Sequence, residues 1–283
     1  MTHRPSHLWF AVPLTFTGTV ALAVTLTIAP APSPGHPKLV ADPILLSGAE
    51  PTPIDAPPLP GQGIALLMGG SGVPVPPVEL ARAGFDNFLA PNGFADYAAE
   101  RLFTPEGLQT IEGISKQLPF NQSVTQGVQI AETQIDKDIQ GGHNVVIAGV
   151  SQSATINSFV LQDIQDGKLN GVDVSDGKLA FLNLGDPSNP NGGILERFNL
   201  PQDPTPTFPS LGLTFSGATP ADTGIPDTIY TLEYDGFADF PRYPMNSLAD
   251  LNAVAGLALV HPLYIQGLLA PGVGLTPAEI AAA

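Results

Sequence analysis

Cysteine is absent from the 283 residues, which removes disulfides, thiolate metal sites and cysteine nucleophiles from the chemistry open to this chain. Basic residues are scarce: 10 Lys and Arg stand against 26 Asp and Glu, a formal net charge of −16. A surface that acidic repels phosphate backbones, so no nucleic-acid partner is expected. Histidine is nearly as sparse, with five in the chain, and His3, His7 and His36 all precede residue 40. The two that remain, without cysteine or a close carboxylate–histidine spacing, supply no metal ligand set, and no motif asks for a cofactor. Gly69-Gly70-Ser71-Gly72 lacks a following Gly-Lys-Ser or Gly-Lys-Thr, which argues against a nucleotide loop. What is plentiful is turn-forming residues, 30 Gly and 31 Pro, set among 43% hydrophobic residues. That mixture describes a folded, loop-rich domain.

The N-terminus reads as an export segment. His3 and Arg4 make a weakly basic start, and Leu8 to Ala29 then runs 22 residues without a charge, long enough to cross a hydrocarbon core. Ala29-Pro30-Ala31 resembles a cleavage site, but Pro32 would follow the cut; residues 1–30 are therefore expected as either a cleaved signal peptide or a retained membrane anchor. The chain is expected to be exported to the cell envelope, secreted or anchored to the membrane. Residues 31–60, with Pro57-Pro58 and Pro60 among their prolines, read as an extended tether. The folded domain is expected over 61–283.

After the tether, strands and helices alternate. Gly63 to Met68 reads as a buried strand opening into the Gly69–Gly72 loop. Val128, Ala131, Ile135 and Ile139 recur at intervals of three and four, with Gly141-Gly142 as a stop, so Thr125 to Gln140 predicts an amphipathic helix. Asn144 to Gly149 is apolar and β-branched, as a central parallel strand covered on both faces requires. Ser151 to Asp166 has helical character, with Ala154, Phe159, Val160 and Ile164 available to pack. Leu179 to Leu184 and Thr228 to Tyr234 are two further strands. This order predicts an α/β fold with a mostly parallel sheet, helices on both faces and ligands beyond the carboxyl ends of the strands. Asp186 to Pro226, rich in Pro, Asn, Thr and Gly without a sustained period, is expected as a cap or lid over the site.

The sharpest chemical signal is Gly149-Val150-Ser151-Gln152-Ser153, where a buried strand turns directly into a helix. Such a turn needs very small residues two positions either side of the serine, because strand and helix backbones meet there. The usual pattern is Gly-x-Ser-x-Gly; Ser153 replaces the last glycine and is still small. A serine nucleophile needs a general base. His143 precedes the strand that Ser151 follows, which places it on the order of 20 Å away. His261, in a late loop immediately before Pro262, is the expected base. The acid should lie between them in chain order. Asp239, in the turn Asp235-Gly236-Phe237-Ala238-Asp239-Phe240-Pro241, is the preferred candidate, with Asp235 as the alternative. An oxyanion hole needs two N–H donors: one is expected from Gln152 and the second from the Gly70-Ser71 loop, with Ser71 favoured because its hydroxyl could also donate.

These residues resemble the hydrolase domain of the mycobacterial PE-PPE proteins, which are related to cutinases. The resemblance covers roughly 61–266. It rests on Gly149 to Ala154, on Tyr234 to Pro241 with Tyr243-Pro244 and Asn246, on Ala249-Asp250-Leu251-Asn252, and on His261. It implies an α/β-hydrolase fold and a serine esterase or lipase acting on acyl esters. Some members with a hydrolase domain behind an export segment are acyltransferases that build acylated trehalose lipids of the envelope, so an acyl-ester or glycolipid substrate is expected. Val150 stands where many members carry an aromatic residue, which bears on pocket shape. The competing expectation is a non-catalytic lipid-binding or adhesion domain on the same fold.

Overall fold

The computed structural model describes residues 50–109, 118–169, 177–198, 205–243 and 246–265. The expected export segment, most of the tether and residues 266–283 of the expected domain lie outside them.

The sheet is built where apolar residues occupy both faces. β2 (Ile64–Leu67), β4 (Val145–Val150) and β5 (Leu179–Leu184) form its centre, and β2 and β5 are buried along their whole length. Among the described residues the sheet has six strands in the order β1-β3-β2-β4-β5-β8, where β1 is Thr52–Pro53, β3 Ala98–Arg101 and β8 Asp227–Tyr230. All neighbours run parallel except β1 against β3. This is the expected mostly parallel sheet.

Helices cover both faces. On one, α2 (Phe120–Gln140) and α3 (Gln152–Gln165) set Val124, Val128, Ala131, Ile135, Ile156 and Val160 against Ile64, Leu66, Ile147 and Phe181. On the other, α1 (Val78–Gly84) and the turns after it set Ala81, Phe88 and Leu89 against Ala65, Leu67, Val146 and Leu182. α2 begins earlier than its period suggested, directly after Pro119. In α3, Ala154 and Val160 pack as expected, but Phe159 points outward and Ile156 and Leu161 fill the core instead.

Two expectations are corrected. Folding begins by residue 50 rather than near Gly61: Thr52 pairs with Arg101, and the Ile54 N–H donates to the Ala99 carbonyl at 2.9 Å. Lys137 holds Glu50, and Arg82 holds Asp55 at 3.0 Å. Proline does not forbid this, because an edge strand needs only one hydrogen-bonding side. The last strand is shorter than Thr228–Tyr234, because the chain turns after Tyr230 and Tyr234 takes a φ of +67°. The stretch 186–226 has structure of its own in its described part: α4 (Ile194–Arg197) and a hairpin of β6 (Thr207–Phe208) and β7 (Leu213–Thr214). Leu195, Leu213, Phe215 and Ile225 are buried in the same core as α2 and α3, and Asn121 on α2 clasps Thr214 through two hydrogen bonds.

Late in the described residues comes α5 (Ser247–Leu259), capped by the Asn246 side chain, which accepts from the Ala249 N–H. Its buried residues are small, Ala253 and Gly256, while Leu248, Leu251, Val254 and Leu259 face outward.

Candidate active site

The turn from β4 to α3 places Ser151 at φ +58° and ψ −114°, a conformation that costs a non-glycine residue of order 1–3 kcal/mol and is kept only where the surroundings enforce it. They do so from both sides. A Cβ on Gly149 would lie 2.6 Å from the Ser153 carbonyl group, so strand and helix can meet here only through glycine. Two residues beyond Ser151, the hydroxyl of Ser153 accepts from the Val150 N–H at 2.7 Å. The serine that replaces glycine in the usual motif therefore ties the turn shut.

Ser151 donates through Oγ to Nε2 of His261 at 2.8 Å. On the far side of the ring, Nδ1 faces Asp235, 2.8 Å from Oδ2 and 3.0 Å from Oδ1. A carboxylate at Nδ1 assigns the proton to that nitrogen and leaves Nε2 as the acceptor of the serine proton. Asp235 is fully buried, and the imidazole is packed edge-on by Phe237 at 4.6 Å and Tyr264 at 5.7 Å between centroids. Burial, and then the charge of Asp235, push the Tyr264 phenol above its ordinary value; its hydroxyl accepts from the Leu232 N–H at 2.7 Å.

Asp239, the preferred acid from sequence, is not at the imidazole. Its Oδ2 accepts from the Tyr234 N–H at 3.0 Å, and its own N–H donates to the Asp235 carbonyl at 2.6 Å. Asp239 closes the turn that holds the alternative candidate, Asp235, against His261. That turn lies on α5 through two glycines: a Cβ on Gly256 would sit 1.9 Å from the Tyr234 carbonyl oxygen, and one on Gly236 2.0 Å from that of Ala253. The contact fixes the end of α5, and His261 follows it with its N–H bonded back to the Gly256 carbonyl. His143 sits at the other end of β4, bonded through Nδ1 to the Gln62 carbonyl.

The expected oxyanion residues gather at the same rim. The Gln152 N–H opens α3, where first-turn donors have no intrahelical acceptor. Gly70 passes so close that a Cβ on it would lie 3.4 Å from the Ser151 Cβ and 3.2 Å from the Val150 carbonyl oxygen. The Ser71 hydroxyl, expected as a possible donor to the oxyanion, donates instead to Oε1 of Gln152 at 2.8 Å. Nε2 of Gln152 donates to Ser123 Oγ at 2.7 Å, and that oxygen also accepts from the Gly107 N–H at 2.7 Å. One side chain therefore ties the loop after β2 to the start of α3. Backbone N–H groups aimed at a developing tetrahedral oxyanion stabilise it.

The sequence reading passed over several residues of this region. Ser123 precedes the helix expected from Thr125, and Tyr264 belongs to no motif singled out above, so neither carried a signal. Glu106 is buried at φ +47°, bonded by Thr104 at 2.6 Å, and raised by burial to about 8; its carbonyl accepts from the Gly72 N–H at 2.7 Å. Asp186, just beyond β5, is raised by burial to about 7 and accepts from Thr219 at 2.6 Å and from the Ser188 N–H at 2.8 Å. It anchors the base of the 186–226 stretch and is not bonded to the imidazole.

The PE-PPE domain model matches residues 95–274. "Esterase PE16" of Mycobacterium tuberculosis is 42% identical over 221 residues, covering 78% of this chain and 39% of that protein. The uncharacterized PPE family protein PPE28 of the same organism is 44% identical over 225 residues, covering 78% of this chain and 31% of that protein. The chain thus spans between about three tenths and two fifths of the length of these relatives. Among solved structures, a cutinase-like protein from Cryptococcus sp. superposes with a TM-score of 0.41 at 12% identity, covering 74% of this chain and 95% of that one. With the family model matched over more than half of its residues, including the serine, the histidine and both candidate acids, the chain belongs to the PE-PPE domain family.

Proposed function

We propose that this protein is a serine esterase that acts on acyl esters through an acyl-enzyme. The observation that carries the reading is the hydrogen-bonded series from Ser151 Oγ to His261 Nε2 and from His261 Nδ1 to Asp235. Ser151 attacks the ester carbonyl as His261 takes its proton, and Asp235 holds the ring and stabilises the imidazolium. The N–H groups of Gln152 and of the Gly70-Ser71 loop bind the oxyanion. Collapse of the tetrahedral species releases the alcohol with the proton from His261. A second nucleophile, activated by the same imidazole, then frees the acyl group. Membership of a family that includes a protein named as an esterase supports the reading.

Water as the second nucleophile gives an esterase; a sugar hydroxyl gives an acyltransferase on envelope glycolipids of the trehalose type. Incubation with an activated ester and trehalose, followed by mass spectrometry, separates the two: free acid alone marks the esterase, acyl-trehalose the transferase. The uncharged run Leu8–Ala29 supports delivery to a membrane and action in the cell envelope.

Ser151→Ala is expected to abolish turnover of p-nitrophenyl butyrate and labelling by a fluorophosphonate, with the circular dichroism spectrum unchanged. Undiminished hydrolysis in that variant would remove Ser151 from the chemistry. A folded wild-type protein that neither labels nor turns over any ester would favour the lipid-binding alternative.

A further inference from the structure

Behind the oxyanion donors lies a closed ring of hydrogen bonds that the chemistry above leaves unused. Ser71 Oγ donates to Gln152 Oε1 at 2.8 Å, and Gln152 Nε2 donates to Ser123 Oγ at 2.7 Å. Ser123 Oγ accepts in turn from the Gly107 N–H at 2.7 Å. The adjoining Glu106 carbonyl accepts from the Gly72 N–H at 2.7 Å, which returns the path to the residue after Ser71. Glu106 holds a left-handed φ of +47° at this junction, a conformation a non-glycine residue keeps only where its surroundings enforce it. Gln152, Ser123 and Glu106 are all fully buried, so both ends of the Gln152 amide need protein partners.

The ring is anchored where α2 meets α3. Residues four apart share a helix face, so Gly127 stands one turn beyond Ser123 on α2, and Ile156 one turn beyond Gln152 on α3. A Cβ on Gly127 would lie 2.3 Å from Ile156 Cδ1. The helices therefore touch at successive turns, first through the Ser123–Gln152 bond and then through Gly127 and Ile156. A Cβ on Gly107 would lie 2.9 Å from the Leu118 backbone, which seats residues 106–107 against the start of α2. Ser71, by contrast, is exposed in a glycine-rich loop. That loop and α3 each supply one oxyanion donor, and such donors act most strongly when their positions are fixed before the reaction.

Resting on the reading of Ser151 as nucleophile, we propose that Ser123 is a positioning residue for the oxyanion hole, holding the Gln152 side chain so that it fixes the loop donor against the Gln152 N–H. Ser123→Ala is expected to lower kcat on p-nitrophenyl butyrate by about thirtyfold with KM held within about twofold. A trifluoromethyl ketone of the same chain length supplies a second readout. Ser151 Oγ adds to its carbonyl carbon, His261 takes the proton, and the carbonyl oxygen becomes the oxyanion; its inhibition constant should rise by a similar factor. Ser71→Ala alone should cost about tenfold, but less than about twofold when added to Ser123→Ala, because both act through Gln152. A variant that loses stability yet keeps kcat and ketone affinity would make Ser123 a packing residue and overturn the proposal, as would losses that multiply in the double variant. Should Ser123→Ala fail to fold, Gln152→Met, which keeps the backbone N–H and drops both side-chain bonds, takes its place in the same cycle. NMR order parameters of the Ser71 and Gln152 amides, measured in Ser151→Ala, read the ring without turnover. Expected on adding Ser123→Ala is a fall from about 0.85 towards 0.6. That fall in a protein that hydrolyses no ester would uphold the ring and count against the esterase reading alone. Unchanged order parameters and unchanged kcat in an active enzyme would sink the ring and leave the esterase standing.

Discussion

Asp235 and Asp239 lie four residues apart on one turn, and both are carboxylates that could have faced the histidine. The difference between them is where the backbone goes: Asp235 lies buried beneath the ring, while Asp239 accepts a main-chain N–H at the turn's edge. Their substitutions should therefore separate. Asp235→Asn keeps the volume but removes the charge that holds the imidazole tautomer, and kcat on p-nitrophenyl esters is expected to fall by roughly a thousandfold or more. Asp239→Asn retains an accepting oxygen for Tyr234 and should cost less than tenfold in kcat and about 1 kcal/mol in stability. Steady-state kinetics with urea unfolding on both variants reads the contrast; equal kinetic losses would reassign the acid. Ser153 shows the opposite relation between sequence and structure. As a departure from the usual glycine it looked like a weaker match, yet its hydroxyl closes the turn around Ser151.

At the level of elements, α5 does for His261 what the β4–α3 turn does for Ser151. A helix that buried large residues would stand off from the 234–236 turn; this one buries Ala253 and Gly256, and the turn lies directly on its backbone. The same arrangement explains why the sequence concealed it. An amphipathic helix announces itself by a stripe of large apolar residues facing inward, whereas here Leu248, Leu251 and Leu259 face outward and the fully buried positions, Ala253 and Gly256, are small. β3 was hidden for a related reason: Ala98-Ala99-Glu100-Arg101 has no β-branched residue, and its pairing with β2 makes it a strand. Gly256→Ala is expected to drive a methyl group into the Tyr234 carbonyl, lowering stability by about 2 kcal/mol. Asp235 and His261 would be pushed apart, so activity measured well below the melting transition should drop at least tenfold. A variant that loses stability while keeping full kcat would show that α5 does not position the histidine.

For the molecule as a whole, charge sets the pH at which it is most stable. Glu106 is raised by burial to about 8 and Asp186 to about 7, against ordinary values of 4.5 and 3.8. Glu100, buried, and Glu132, half-buried, are both raised to about 7, chiefly by burial. Between about pH 4.5 and 7 the folded state keeps these groups protonated while the unfolded chain ionises them. The folded state then binds more protons, so stability falls as pH rises, by roughly 1 kcal/mol per pH unit for each fully protected group, and the Glu106 contribution continues to about pH 8. The net charge of −16 adds self-repulsion in the same direction. Melting temperature should decline from pH 5 to pH 8, and Glu106→Gln should flatten that decline and raise the value at pH 8. An unchanged slope in Glu106→Gln would show that this carboxyl titrates alike in both states.

Much of this architecture could be read from the chain. The order of strands and helices, the serine at the strand-to-helix turn and the late histidine follow from local rules: apolar runs seek burial, glycine permits close backbone contact, and a base that must reach a distant hydroxyl has to lie at the same edge of the sheet. The tertiary structure alone decided which of two aspartates meets the ring, that residues 52–54 join the sheet edge, and that the Ser71 hydroxyl bonds Gln152 instead of facing the serine. These outcomes turn on distances of a few ångströms between segments remote in sequence, and such distances are set by the packing of whole elements rather than by the preferences of the residues they separate.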